Sequence, residues 1–267
     1  MPLYQNLANV PSSGKMVKSR TNLDFTVNNV RTVSDTKRAF YSIHTRPINS
    51  IYRRVVEELM VEMHLLSVNV DYQYNPIYAL GVVTSFDRFM QGYRPEGDKT
   101  PIFDAICQSL QDDPNRYRHD AQRMREAVNH KTAKDVLAWL EQSATGYGDN
   151  LQEQIKAIAN NPKFKYSRLF AIGLFTLFEA VDPEAVKNEA QREELLKQAC
   201  AALRLPQDKV QKDLELYRSN LEKMIQAQAV MADLLAAEKK KREQKQQNNS
   251  TPPSDSSEAP TGEAASS

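Results

Sequence analysis

The chain has 267 residues, room for one large domain or two small ones, and sets 35 basic against 34 acidic residues for a formal charge of +1. Such a balance supplies no global field that would select nucleic acid. The longest apolar run, Leu169–Phe178 interrupted by Gly173 and Thr176, falls well short of the ~20 residues a bilayer-spanning helix needs, so no transmembrane segment is expected.

Residues 1–33 show no sustained period and are expected to form a disordered extension. Lys15, Lys18 and Arg20 precede the first acid, Asp24, a faint likeness to a transit peptide, and Met16 offers an alternative start. Ser34 is placed to cap a short helix over 34–43. The stretch 46–69 then reads as the helix around which the rest is organised. Pro47 suits its first position, where a missing N–H costs nothing. Ile48, Tyr52, Val55, Leu59, Met63 and Leu66 follow at steps of three and four, with Ile51, Val56 and Met60 widening the stripe. Arg53, Arg54, Glu57, Glu58 and Glu62 hold the opposite side and predict four-apart ion pairs, Arg53–Glu57 and Arg54–Glu58.

From Val68 to Tyr74 the pattern alternates, but no second strand-like run exists to pair with it, so an extended connector lying on the core is expected. Helices apolar nearly all round are predicted from Pro76 and over 166–181, and belong deep inside a bundle. Gly81 within the first costs about 1 kcal/mol against alanine and marks close approach by a neighbouring helix. Shorter helices are expected over 101–110, 114–128, 132–142 and around Leu151–Ile158, with a loop at 143–150. A more polar surface helix is expected over 183–203. Asn75-Pro76, Thr100-Pro101, Asp113-Pro114, Asn161-Pro162 and Asp182-Pro183 all carry the cap-then-proline signature of a helix start.

Near the end, Val210, Leu214, Tyr217, Leu221, Met224, Gln228, Met231 and Leu235 alternate steps of four and three, a heptad seam with one polar position. Helical from 207 to 245 it would be ~60 Å long, too long for one bundle to cover, so it should project or pair. Tyr217, Leu221, Met224, Met231 and Leu235 are the candidate partner-binding residues. Lys239, Lys240, Lys241, Arg242 and Lys245 are candidates for an anionic membrane surface; offsetting the helix dipole is the plainer role for such cations. The fold expected is all-α: a helical globular domain at 34–205, a long coiled-coil-like helix at 206–245 and a disordered tail at 246–267.

Chemistry-bearing motifs are sparse. His64 has Val61 where a helical di-iron site needs glutamate, and reads as a bundle histidine satisfied by a neighbour. His44 suits capping or surface contact at a helix end, and His119 and His130 suit solvent. There is no H-E-x-x-H, no phosphate-binding glycine loop and no nucleophile elbow. Cys107 and Cys200 read as small buried hydrophobes. Glu57, Glu58 and Glu62 read as a solvated face beside their arginines. An enzyme is disfavoured, and no metal or cofactor is expected.

Five stretches, NNVRTVSDTKRAFY (28–41), HTRPINSIYRRVVEELMVEMHLLSVN (44–69), ALGVVTSFDRFMQGYRPE (79–96), NPKFKYSRLFAIGLFTLFE (161–179) and DLELYRSNLEKM (213–224), closely resemble the thylakoid formation protein family, also described as photosystem II biogenesis factors. The likeness runs from about Asn28 to Lys245 and leaves residues 1–27 in front of it; with no long plastid transit peptide, it favours a cyanobacterial member. The resemblance implies a non-enzymatic accessory protein, peripheral to the thylakoid on its cytoplasmic side. It also implies support of photosystem II accumulation and repair, a link to FtsH-type membrane proteases and a C-terminal coiled coil. It supplies no catalytic residues to carry over.

Overall fold

A computed structural model describes residues 31–146 and 148–249. Of the disordered extension expected over 1–33, Thr32 caps the first helix and Val33 begins it, and of the tail expected over 246–267, residues 246–249 continue the last helix; the rest of both lies outside the described residues. Eleven helices follow one another, with one 3-10 turn, Glu96–Asp98, and no strand among the described residues. They are α1 Val33–Ile43, α2 Ser50–Ser67, α3 Pro76–Phe89, α4 Lys99–Ser109, α5 Pro114–Val128, α6 Ala133–Thr145, α7 Asn150–Ala159, α8 Arg168–Val181, α9 Pro183–Lys187, α10 Glu189–Leu203 and α11 Gln207–Asn249.

The hub is the pair α3 and α8 rather than α2. Every residue of α3 from Pro76 to Phe86 is buried, as is every residue of α8 from Leu169 to Phe178. At their crossing the backbones touch. A Cβ at Gly81 would sit 1.7 Å from the Leu169 carbonyl oxygen, and one at Gly173 would sit 1.9 Å from that of Ile77. The neighbouring helix that Gly81 called for is thus α8, which brings a glycine of its own. By contrast α2 buries one face, through Tyr52, Val56, Leu59, Met60, Met63 and Leu66. It starts later than the sequence suggested. The Asn49 side chain accepts from the Ile51 N–H, and Pro47 lies before the helix, although Ile48 is still buried.

Three of the five cap–proline pairs start helices: Asn75, Asp113 and Asp182 each accept from a first-turn N–H. Pro101 instead falls inside the first turn of α4, behind the 3-10 turn, and Pro162 lies in the turn that follows α7. At α1 the cap is Thr32, which exchanges bonds with Asp35 in a reciprocal box, and Ser34 lies within the helix. The single polar helix expected after Pro183 is two, because Asn188 starts a new one by accepting from the Gln191 N–H.

The connector after α2 is not a strand. A turn at Asn69, whose side chain and carbonyl accept from Asp71 N and Tyr72 N, leads into an extended run onto α5. There Tyr72, Tyr74, Tyr78 and Tyr117 meet edge to face, with ring centroids 5.2–6.3 Å apart. Tyr74 donates to Asp120 and Tyr117 to Asp112, so burial and these carboxylates hold both phenols protonated, well above their ordinary pKa.

The polar side of α2 is only partly solvated. Arg54 does pair with Glu58 at 2.8 Å, but Glu57 takes Lys37 at 2.8 Å and the Tyr41 hydroxyl at 2.6 Å instead of Arg53. Glu62 pairs with Arg168 at the start of α8. These carboxylates fasten α2 to its neighbours.

Candidate interaction surface on the last helix

The seam of α11 divides at Gln228. Before it, Val210, Leu214, Tyr217 and Met224 are buried and Leu221 is half-buried against the core. Tyr166 donates to Asp213 at 2.8 Å, and Lys209 lies 5.0 Å over the Tyr166 ring, so the base of α11 is fixed to the start of α8. One turn on, the Tyr217 ring meets Phe89 edge to face at 5.7 Å. Its hydroxyl accepts from Arg88, which also pairs with Glu179 and so joins α3, α8 and α11. Burial raises the Tyr217 phenol, with the Arg88 charge pulling the other way.

Gln228 ends the docked half. Its Nε2 donates to the Gln91 carbonyl at 2.6 Å, just past the end of α3, where Gly92 turns the chain with φ 77°. An alanine there would need a left-handed conformation that L side chains rarely adopt. Tyr52 from α2 also donates to Gln91, at 3.2 Å. The polar break in the heptad is therefore a hydrogen bond to the chain's own backbone.

Beyond Gln228 the helix projects. Met231 is half-buried, whereas Val230, Leu234 and Leu235 are 60, 59 and 60% exposed. Lys239, Lys240, Lys241 and Arg242 are all exposed, with Lys239 loosely paired to Glu243 at 3.9 Å. The Lys245 side chain lies outside the described residues. Of the five expected partner-binding residues, Tyr217 and Met224 are thus closed off by the protein's own core, and Leu221 largely so; Leu235 is open and Met231 partly so. Ile225, Val230 and Leu234 are exposed apolar positions off the a/d seam that the heptad reading missed, although the four-residue step from Val230 to Leu234 is visible in the sequence.

The other described residues offer little reaction chemistry. His64 accepts or donates to Thr36 Oγ1 at 2.9 Å, as a satisfied bundle histidine should. His44 caps α1 through its backbone but is buried rather than superficial, with Nε2 unpartnered against Phe40. His119 and His130 are exposed. Cys107 and Cys200 are free and buried, and burial pushes the Cys200 thiol up to about 11. No cluster of three potential metal ligands occurs among the described residues. A half-open cleft of about 410 Å³ lies between α3, α4 and α5, floored by Val83, Phe86 and Phe103. Its cations are matched locally, Lys99 with Glu96 and Arg118 with Asp104, each at 2.8 Å. Desolvation raises the Asp87 carboxyl at its rim, against the pull of Arg125, Lys99 and Arg118.

Fold and surface define an all-helical protein whose last helix is half core and half protruding arm, with no helix among the described residues long and apolar enough to cross a membrane. The thylakoid formation protein family model matches residues 32–246, and the chain belongs to that family. It is 65% identical over 210 residues to protein Thf1 of Trichormus variabilis, covering 78% of this chain and 90% of the relative. To Thf1 of Acaryochloris marina it is 58% identical over 212 residues, 79% of this chain and 86% of the relative. The solved structure of Psb29 superposes with a TM-score of 0.70 at 45% identity, covering 79% of this chain and 98% of that one. The family places the chain in thylakoid and photosystem II biogenesis.

Proposed function

We propose that this protein is a non-enzymatic accessory factor for photosystem II biogenesis and repair, held peripherally at the cytoplasmic face of the thylakoid, and that it acts by gripping an FtsH-type membrane protease or a photosystem II assembly component. The observation that carries this reading is the split of α11: a helix anchored by Tyr217 and Met224 that leaves Leu235, and part of Met231, uncovered past Gln228. A heptad seam left open on a fixed base is what a partner helix would meet as a coiled coil. Family membership supplies the thylakoid context.

The test is recovery of partners from solubilised cyanobacterial thylakoids with the wild-type chain and with Met231→Ser/Leu235→Ser. Loss of protease or photosystem II subunits from the variant, with helical content and melting unchanged, supports the reading. Identical recovery overturns the arm's role.

A further inference from the structure

A second line of residues runs along the projecting half of α11 beside the open seam. Lys223, Ala227, Val230, Leu234, Ala237 and Lys241 follow at alternating steps of four and three, which puts them on one face. That face is apolar in its middle and cationic at both ends. Val230 and Leu234 are 60 and 59% exposed, and Lys223, Ala237 and Lys241 are exposed. Lys239, Lys240 and Arg242 extend the cationic end around the rest of the circumference, since successive residues turn by about 100°. The nearby acids leave the centre of this face free: Asp233 and Glu238 flank it on its two sides, Glu222 lies further round, and Glu243 lies opposite, paired with Lys239. We infer that this face docks on an anionic lipid surface, resting Val230 and Leu234 at the headgroup boundary with Lys223, Lys240, Lys241 and Arg242 among the headgroup charges. The inference rests on the accessory reading above and names the surface to which the arm is applied.

Charge decides between the possible occupants. A second copy paired in parallel would bring Lys223 onto Lys223 and Lys241 onto Lys241; paired antiparallel, it would bring Lys223 onto Lys241. Both registers oppose like charges. One facing helix of a partner would satisfy only the cations pointing at it. A headgroup layer meets cations on every side, and long lysine stems keep their charged ends among headgroups while their methylenes lie along apolar surface. The globule does not compete, because among the described residues its last hydrogen bond to the arm is made by Gln228.

The experiment is flotation of the full chain with vesicles of phosphatidylcholine alone and of equal parts phosphatidylcholine and phosphatidylglycerol. The wild type should float with the anionic vesicles and not the zwitterionic ones, and added salt should release it. Each cation neutralised should weaken binding about five-fold, so Lys240→Gln/Lys241→Gln/Arg242→Gln should abolish flotation. Val230→Ser/Leu234→Ser should weaken it at constant salt while leaving melting unchanged. Flotation that ignores lipid charge, or is untouched by both variants, overturns the inference. So does sedimentation showing a dimer that Val230→Ser/Leu234→Ser dissolves, which would assign the face to a second copy. A chain that never floats yet still recovers thylakoid protein complexes overturns the lipid surface and leaves the accessory role standing; a chain that floats as expected but recovers none supports the lipid surface and removes that role.

Discussion

Gln228 on the last helix donates to the carbonyl of Gln91, 137 positions earlier, at 2.6 Å, and this bond marks where α11 leaves the body of the protein. Replacing Gln228 with alanine should leave the melting temperature nearly unchanged, because the residue is not buried in the core and the bond is worth about 1 kcal/mol net. It should instead raise backbone amide exchange in residues 221–231, where Leu221 and Met224 alone would hold the helix down. Unchanged exchange there would show that the apolar contacts suffice.

Tyr217 and Leu235 belong to the same heptad series and should behave oppositely. Tyr217→Ala empties a site packed against Phe89 and removes the hydroxyl that accepts from Arg88, so it should cost about 3 kcal/mol or more. Leu235→Ala removes an exposed side chain and should change stability by less than about 0.5 kcal/mol. Denaturant titration of the two variants side by side is the measurement.

At an open helix position, glycine to alanine stabilises by about 1 kcal/mol. Gly81→Ala should reverse that sign, with a net loss of about 2 kcal/mol, because the added methyl meets the backbone of Leu169 rather than a movable side chain. Gly173→Ala should behave alike through Ile77. Thermal melts of the two variants will report it; a gain in either would mean that α3 and α8 can separate freely.

Stability should fall on mild acidification. Desolvation lowers the pKa of both His44 and His64; Asp98 opposes this and Arg46 adds to it at His44, while at His64 the Arg31 charge adds to it and the Arg31 backbone bond and Asp35 oppose it. Both favour the neutral form more in the fold than in the unfolded chain, where they titrate near ~6.5. Their folded pKa lies below the unfolded one, so full stability holds above that pH and is lost as pH falls through the folded values. Melting temperature measured between about pH 7.5 and 5.5 should therefore decline, and His44→Phe should shrink the decline.

Neither thiol should react in the native state. Burial pushes the Cys200 thiol up to about 11 and the Cys107 thiol higher still, and neither is exposed. Labelling by a thiol reagent at neutral pH should be slow and should accelerate only with unfolding. Fast stoichiometric labelling of the native chain would contradict the burial.

The helices were legible because their signals are local. The period from Tyr52 to Leu66 and the isolated Gly81 could be read without knowing any neighbour. The capping box of Thr32 and Asp35 was equally local, and preferring Ser34 missed it. Other features were invisible for a physical reason: they depend on what lies opposite. The period of α11 says that Tyr217 and Leu235 share a stripe, and nothing in it says that Phe89 covers the first and water the second. The same holds for Glu57, whose choice of Lys37 over Arg53 is made by the packing of α1. Pro101 and Pro162 carry the helix-start signature, but preceding turns shift where each helix begins.

The contacts of Arg88 with Tyr217 and of Gln91 with Gln228 reach across 129 and 137 positions. During synthesis the flank of α3 that receives them therefore stays bare until the C-terminal segment has emerged from the ribosome. The arm is the closing act of folding, and a nascent chain halted before Tyr217 would display Phe89 and the Arg88–Glu179 pair to whatever chaperone or protease is near.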